Sequence, residues 1–195
     1  MEKHELILSL IKDYNVGAEV GTLRGELSKK ILENWSGRLY LIDAWRHFPD
    51  LTDFNNLDHN GQLDNMAKTF MSVYDFGERA YIIRDTSISA SRLFSPSSLD
   101  FVYIDAAHDR KSVKEDLASW YLKVKDGGLV MGDDYFNGFF AIENGRDPDT
   151  LIEVKSAVDE FAHSIGKKVN FADTTHPSLT GNPMEAFLKQ WWIKK

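Results

Sequence analysis

Apolar residues recur along this chain with two different periods, which predict strands alternating with helices. Short runs rich in β-branched and aromatic residues predict strands at 16–20, 38–42, 80–84, 99–104 and 129–132. Apolar residues at helical spacing predict an amphipathic first helix around residues 6–11, and further helices at about 25–35, 62–74, 89–94, 110–121 and 152–165. Because the strands alternate with helices, the pattern predicts an α/β fold with a mostly parallel sheet.

Two further strands, at 168–172 and 190–193, are predicted at the end of the chain. A polar loop containing Pro and Gly, residues 173–183, separates them. No helix is predicted between them, so they are expected to pair as neighbours. This ending departs from the alternation that precedes it.

The composition narrows the class of protein. The chain has 195 residues, of which 43% are hydrophobic and 12% aromatic, which is typical of one globular domain. Its formal net charge of −7 argues against a nucleic-acid partner. The absence of cysteine excludes disulfides, thiolate zinc sites and a cysteine nucleophile. Charges interrupt the first apolar run and no run is long enough to span a membrane, so we expect a cytoplasmic protein without a membrane partner.

The turn after the first strand carries the pattern E-x-G-x-x-x-G, from Glu19 through Gly21 to Gly25. A dinucleotide-binding turn needs a further glycine at the position that Leu23 holds here, so that the pyrophosphate can approach the backbone. A ligand without phosphates therefore fits better. Asp43 ends the second strand roughly 20 positions later, where nucleotide-binding α/β folds place the carboxylate that binds a ribose. The alternative is a glycine turn that only connects strand to helix.

Carboxylates also follow the fourth and fifth predicted strands. Asp105 ends the fourth, and Asp133 and Asp134 end the fifth. Because the carboxyl ends of parallel strands meet at one edge of a sheet, these groups would repel one another unless a divalent cation such as Mg²⁺ bound between them. Neighbouring residues of a regular strand point to opposite faces, so both aspartates can bind one ion only if the backbone bends, which Gly132 permits. Otherwise Asp133 caps the turn and Asp134 faces solvent.

Together these stretches resemble the class I S-adenosylmethionine-dependent methyltransferases, and within them the macrolide and aminocoumarin sugar O-methyltransferases. The resemblance is carried by AEVGTLRG, LIDAWRHFPD, DFVYIDAAHD, GGLVMGDDY and the final WWIKK. It implies a single domain over residues 1–195 with a Rossmann-like, doubly wound sheet of seven mostly parallel strands and an antiparallel C-terminal strand. In metal-dependent members, one aspartate after the fourth strand and two adjacent residues after the fifth bind magnesium. These positions match Asp105, Asp133 and Asp134.

The resemblance also implies a set of residues that bind S-adenosylmethionine: Glu19, Gly21, Thr22, Gly25, Asp43, Trp45 and Asp85. Asp43 would bind the ribose and Asp85 the edge of the adenine. Two of these assignments have an alternative from the residues themselves. Asp85 also suits a helix cap, and Trp45 either stacks on the adenine ring or packs in the core.

Residues 45–78 form a long insertion before the third strand. Connections this long are uncommon in compact domains unless they are functional, so we expect the insertion to cover the cofactor or to shape the acceptor pocket. Its helix is predicted to turn Leu63, Met66, Ala67 and Phe70 inward. Arg46 and His47 are candidate contacts for the acceptor. The aromatic loop at 135–148 is a second place for acceptor recognition, and aromatics in both segments are candidates for a homodimer contact.

These parts predict a metal-assisted O-methyltransferase that acts on a small hydroxylated molecule, such as a sugar or a natural-product intermediate. A bound cation lowers the pKa of a hydroxyl group, and a nearby base takes its proton. His108, three residues after the metal ligand Asp105, is the candidate base, and its alternative role is to cap the next helix. Three other functions remain open at this point: a metal-independent N- or O-methyltransferase, a nicotinamide oxidoreductase, and a cofactor-binding module without catalysis.

Overall fold

The computed structural model describes residues 1–51, 55–140, 150–175 and 189–195. The strands are β1 Val16–Val20, β2 Arg38–Asp43, β3 Ala80–Arg84, β4 Leu99–Ile104, β5 Val124–Gly132, β6 Gly138–Phe140, β7 Thr150–Ile152, β8 Asn170–Asp173 and β9 Lys189–Lys194. The helices are α1 Lys3–Ile11, α2 Glu26–Asn34, α3 His59–Val73, α4 Ser87–Ser91, α5 Arg110–Tyr121 and α6 Val154–Ser164. A 3₁₀ segment, Tyr74–Arg79, joins α3 to β3.

Seven strands form one sheet in the order β3-β2-β1-β4-β5-β9-β8. Strands β1 to β5 pair in parallel, and β9 runs antiparallel between β5 and β8. The predicted fold class is therefore confirmed. The chain order reverses between β1 and β4, and in open α/β sheets such a switch point opens a crevice at the carboxyl ends of the strands.

Both faces of the sheet are covered. Helices α4 to α6 pack on one face in a cluster that includes Leu117, Trp120 and Val158. Helices α1 to α3 pack on the other face in a cluster that includes Ile11 and Ile31. All six residues of β4 are buried, as a central parallel strand between two helical layers requires.

The sequence prediction placed β5 too late in the chain. The predicted strand begins at residue 129, whereas the observed strand already begins at Val124 and includes Gly127 and Gly128. The register with β4 shifts between Leu99 and Phe101, which marks a bulge. A Cβ atom at Gly128 would lie 2.4 Å from the Asp100 carbonyl oxygen. Gly128 therefore permits a close contact with β4, whereas Gly127 has a left-handed φ of 80° and no atom within 4 Å of an added Cβ.

The loop predicted at 135–148 contains strand β6, which pairs antiparallel with β7 in a separate two-stranded sheet. The pattern did not predict this hairpin, because each strand has only three residues and shows no period. Residues 141–148 of the same predicted loop lie outside the described residues, as do most of the polar loop before β9 and residues 52–54 of the insertion.

The predicted inner face of α3 was wrong. Leu63 is 38% exposed and Phe70 is 51% exposed, whereas Gln62, Asn65 and Thr69 are buried. The reason is that α3 packs against the backbone of the glycine turn, which offers carbonyl groups. Thr69 Oγ1 donates to the Leu23 carbonyl oxygen at 3.0 Å. A polar face therefore suits this contact better than an apolar one.

Within the described ranges, the longest helix has 15 residues, and none is long and apolar enough to span a lipid bilayer.

Candidate active site

A cavity of about 1010 Å³ opens at the carboxyl ends of the parallel strands, where the chain order reverses. Its size is at the upper end of the range for small-molecule sites. Residues after β1, β2, β3, β4 and β5 line it, together with part of α5 and part of the insertion. The predicted site residues in this lining are Gly21, Asp43, Asp85, Asp105, His108, Asp133 and Asp134.

Gly21 holds the ends of β1 and β4 together. Its φ of 89° is left-handed, and a Cβ atom there would lie 1.9 Å from the carbonyl oxygen of Asp105. Gly25 also has a left-handed φ, 74°, and precedes α2 as its N-cap. Glycine is therefore required at position 21 for a contact between two strand ends, beyond any contact with a ligand.

Glu19 in β1 and Thr22 in the turn are buried, and neither is among the described residues that line the cavity. Ser28 Oγ donates a hydrogen bond to the Glu19 carboxyl group. Burial raises the pKa of Glu19 to about 8, although the Ser28 hydrogen bond opposes that shift. Gly25, like Glu19 and Thr22, is not among the described residues that line the cavity. Of the four predicted cofactor contacts between Glu19 and Gly25, Gly21 alone reaches the cavity wall in the part of the chain described.

Asp43 connects the turn to the insertion. Its Oδ2 accepts from the Leu23 amide and its Oδ1 accepts from the Trp45 amide, both at 2.9 Å. Burial raises the pKa of Asp43, and the backbone hydrogen bonds oppose that shift. Further backbone hydrogen bonds from Thr22 and Ala44 help to hold this carboxylate at the end of β2.

Trp45 is fully buried, and its Nε1 donates to the Leu23 carbonyl oxygen at 2.8 Å. It is not among the described residues of the cavity wall, so its position matches the core alternative rather than the adenine-stacking one. Of the candidate acceptor contacts, Arg46 lines the cavity and lies 4.5 Å from the ring centre of Phe48. The His47 ring instead contacts the Leu57 carbonyl oxygen at 3.2 Å.

Asp85 lines the cavity just before α4. Its Oδ1 accepts from the Thr86 amide at 2.8 Å, whereas the N-cap of α4 is Thr86 itself. Sequence reasoning missed a neighbouring acid, Asp116 of α5, which is buried and lines the same cavity. The Ser87 hydroxyl donates to Asp116, and burial raises the pKa of this carboxyl group to about 7. A charged residue on a helix resembles a solvated face, so the sequence carried no signal for it.

Asp105, His108 and Asp134 come together at one wall of the cavity. One potential ligand atom from each lies within 4.8 Å of the other two. His108 Nε2 is 3.0 Å from Asp134 Oδ2 and 4.0 Å from Asp105 Oδ1. Asp134 joins the cluster with a left-handed backbone, its φ being 54°. The missing side chain of Gly132 makes room for the Ile104 carbonyl oxygen and Trp191.

Asp133 points elsewhere and is buried. Its Oδ1 accepts from the Asp134 amide at 2.8 Å and from the Gln190 side chain. Its Oδ2 forms a salt bridge with Lys3, whose Nζ also lies 3.3 Å from Asp105 Oδ2. Although burial lowers the pKa of Lys3, the charges of Asp133, Tyr103 and Asp105 outweigh it and hold that pKa well above its usual value.

Lys3 is the second residue that sequence reasoning missed. It begins α1 and lines the cavity, yet it stands 102 positions from Asp105 in the chain. A lysine at the start of an amphipathic helix is ordinarily solvent-exposed, so only the tertiary fold reveals its place.

The donor set of the cluster bears on which cation would fit. Asp105, His108 and Asp134 offer two carboxylates and one imidazole nitrogen. Mg²⁺ prefers oxygen ligands alone, whereas imidazole also suits divalent transition metals such as Mn²⁺, Fe²⁺ or Zn²⁺. The residues therefore fit a divalent cation, and the imidazole favours a transition metal over magnesium.

Comparison with known proteins gives a consistent result. A family model described as a methyltransferase domain matches residues 18–135. No curated protein matches the sequence. Among solved structures, a provisionally assigned caffeoyl-CoA O-methyltransferase from Staphylococcus aureus superposes with a TM-score of 0.67 at 17% identity, over 98% of this chain and 82% of that one.

Two further structures have a similar fold. An O-methyltransferase from Bacillus cereus in complex with SAH has a TM-score of 0.62 at 13% identity, over 98% of this chain and 79% of that one. The 1,6-didemethyltoxoflavin-N1-methyltransferase of Burkholderia thailandensis, with S-adenosylhomocysteine bound, has a TM-score of 0.60 at 14% identity, over 97% and 74%. These identities show the shared fold and leave the acceptor atom open, since both O- and N-methyltransferases are present.

Proposed function

Since the chain belongs to the methyltransferase domain family and is an S-adenosylmethionine-dependent methyltransferase, we propose that it methylates a hydroxyl oxygen of a small hydroxylated molecule, with help from a divalent cation. A sugar or a natural-product intermediate, the acceptor class of the macrolide and aminocoumarin sugar enzymes that the sequence resembles, is the proposed acceptor. The observation that carries this proposal is the cluster of Asp105, His108 and Asp134 in the wall of the cavity that Gly21 and Asp43 also line.

The cofactor half of the site would consist of the turn at Gly21, the carboxylate of Asp43 and the segment after β3 that begins with Asp85. Asp43 is suited to accept hydrogen bonds from ribose hydroxyls, because it places a carboxylate at the end of β2 in the lining of the cavity. S-adenosylmethionine supplies a methyl group activated by a positively charged sulfur. The close contact between Gly21 and Asp105 makes the two halves neighbours, which supports transfer between ligands held on either side.

The acceptor half would hold a divalent cation on Asp105, His108 and Asp134. The cation would lower the pKa of an acceptor hydroxyl group, so that this group could lose its proton at neutral pH. In this state His108 must be neutral to ligate, and Asp105 and Asp134 must be ionised. Arg46 and the nearby ring of Phe48 would contact the rest of the acceptor, because both belong to the cavity lining contributed by the insertion.

A second candidate dispenses with the cation, and the 3.0 Å contact between His108 and Asp134 favours it. Here the other ring nitrogen of His108, Nδ1, would take the acceptor proton, because Nε2 faces the Asp134 carboxylate. That carboxylate would stabilise the imidazolium that forms. The same arrangement would serve an N-methyltransferase whose amine acceptor must lose a proton.

The test combines binding with turnover. Isothermal titration calorimetry should detect S-adenosylhomocysteine binding, and its absence would contradict both candidates. Turnover should then be measured on a panel of sugars, phenols and amines, with protein treated with EDTA and resupplied with Mn²⁺ or Mg²⁺. Loss of turnover that Mn²⁺ restores supports the cation. Turnover that EDTA leaves intact, but that His108→Gln abolishes, supports the second candidate.

A further inference from the structure

We propose that Lys3 is a positioning residue that acts as the fixed counter-cation of this site: it neutralises Asp133, orients Asp105, and thereby keeps Asp133 out of the ligand set. The proposal rests on the proposed function, because it concerns the cluster that would bind the cation. It differs from the ligand set expected from the sequence, in which Asp133 is the third magnesium ligand.

Asp133 is held by partners within the protein. This carboxyl group is only 6% exposed, and both of its oxygens already have partners. Oδ1 accepts from the Asp134 amide and from Gln190, and Oδ2 pairs with Lys3. An ion could recruit Asp133 only after displacing the Lys3 ammonium group. A buried carboxylate that lost this partner would carry a large desolvation penalty.

Lys3 also orients the carboxylate of Asp105. Lys3 Nζ lies 3.3 Å from its Oδ2, whereas its Oδ1 faces His108 Nε2 at 4.0 Å. The two oxygens of the Asp105 carboxylate therefore have different partners. Lys3 holds one of them, which directs the other toward the cluster with His108 and Asp134.

The backbone at the start of α1 places Lys3 at this site. Lys3 is the first residue of α1, and the two residues before it are held against Thr175. The Thr175 amide donates to the Met1 carbonyl oxygen at 3.0 Å, and Glu2 forms a bridge with Thr175. The Lys3 side chain is 29% exposed, so it reaches the acids from the rim of the cavity. Backbone contacts between the first two residues and Thr175 thus help to place the ammonium group in the site.

Lys3 also sets the charge balance among the three carboxylates of the site. Three carboxylates converge here, and Lys3 compensates one of their charges permanently. A divalent cation on the remaining Asp105 and Asp134 would then complete neutrality, with His108 as a neutral ligand. If Lys3 were absent, Asp133 would become a free third carboxylate and the site would attract cations more strongly.

The test measures cation affinity, which a merely structural lysine would not change. Mn²⁺ binding should be titrated calorimetrically in the wild type, in Lys3→Met and in Lys3→Arg. We expect Lys3→Met to bind Mn²⁺ about tenfold or more tightly, since one unit charge a few ångströms from the ion is removed in partly buried surroundings. Lys3→Arg keeps the charge and should retain the wild-type affinity. Lys30→Met is the matched control, because Lys30 pairs with the exposed Glu2 instead.

A stability cycle tests the pairing with Asp133 independently. Lys3→Met should lower the melting temperature without added metal, because Asp133 is left buried and unpaired. The double variant Lys3→Met/Asp133→Asn should melt higher than Lys3→Met alone, because the uncompensated charge is then gone. Added Mn²⁺ should raise the melting temperature of Lys3→Met more than that of the wild type.

Two outcomes would overturn the proposal: equal Mn²⁺ affinity in the wild type and Lys3→Met, or a double variant that melts no higher than Lys3→Met. If no variant, Lys3→Met included, binds Mn²⁺, the affinities are equal and the role of Lys3 in withholding Asp133 fails together with the cation of the proposed function. If Lys3→Met alone binds Mn²⁺, the cation of the proposed function fails while the proposal for Lys3 is supported. The two failures are therefore distinguishable.

Discussion

His108 Nε2 lies 3.0 Å from Asp134 Oδ2, although the two residues follow different strands of the sheet. His108 stands in the turn after β4, and Asp134 stands just after β5. The left-handed backbone of Asp134 turns its side chain toward the imidazole instead of along the strand direction. Whether His108 ligates a cation or takes a proton, this contact fixes which ring nitrogen faces the acid.

Replacement of His108 should therefore abolish chemistry without abolishing cofactor binding. We expect His108→Gln to lower turnover by about 10²–10⁴-fold, the range for loss of a positioned acid–base group. S-adenosylhomocysteine affinity, measured by calorimetry, should be unchanged. His47→Gln is the matched control, since His47 is an exposed histidine whose ring contacts the Leu57 carbonyl oxygen. Equal loss of turnover in the control would argue against a special role for His108.

Gly21→Ala should impair folding and cofactor binding together. A Cβ atom there would lie 1.9 Å from the Asp105 carbonyl oxygen, so the ends of β1 and β4 would have to separate. Gly166→Ala is the control for backbone strain alone, because Gly166 has a φ of 65° and no atom within 4 Å of the added carbon. We expect the control to cost about 1–2 kcal/mol in chemical denaturation and Gly21→Ala to cost clearly more. Similar values would contradict the importance of the close contact.

Stability should fall with rising pH because of Glu19, and Glu19→Gln should remove that part of the dependence. Burial raises the pKa of Glu19 from 4.5 to about 8, so the folded protein holds this proton more tightly than the unfolded chain. The stabilisation is complete below about pH 4.5 and is lost as the pH rises toward 8. The difference in unfolding free energy between wild type and variant should change by up to about 1.4 kcal/mol per pH unit in this window.

Urea unfolding at several pH values measures this difference. Glu33→Gln, at a residue on α2 whose side chain is 48% exposed, provides the control for removing a carboxyl group from an exposed position. A difference for Glu19→Gln that does not vary with pH would mean that Glu19 ionises in the folded protein near its ordinary pKa.

Asp43→Asn should weaken both stability and cofactor affinity. The carboxylate accepts from the Leu23 and Trp45 amides through different oxygens, and an amide side chain has only one acceptor oxygen. One backbone N–H group would then face an NH₂ group, at a cost of about 1–3 kcal/mol. Thermal melting and S-adenosylhomocysteine titration should both detect the loss. Asp85→Asn, whose Oδ1 alone accepts from the Thr86 amide, should be less destabilising.

The sequence was sufficient to predict the sheet and the strand ends that carry acids. Strands such as Leu99–Ile104 are continuous apolar runs, and parallel order follows from their alternation with helices. The wrong inner face of α3 shows the limit of that reasoning, because periodicity assumes that a helix packs on apolar side chains. Here Thr69 and Asn65 face the backbone of the glycine turn and its neighbour Arg24 instead.

The candidate site was predictable to the extent that it depends on strand ends. Asp105 and His108 lie three positions apart after one strand, so their proximity follows from local sequence. The placement of Lys3 does not, since it depends on how α1 docks and on the contact between Met1 and Thr175. The roles assigned to Asp105, Asp133 and Asp134 remain predictions, as do the cofactor contacts of the glycine turn.

The contact between Gly21 and the Asp105 backbone limits how the protein can be re-engineered. At this contact there is no side chain to exchange, because Gly21 and Asp105 meet there through main-chain atoms. Most variants with substitutions at Gly21 would therefore misfold. Diversification aimed at new acceptors should begin in the insertion, at Arg46 and Phe48, whose side chains border the cavity and leave the strand ends untouched.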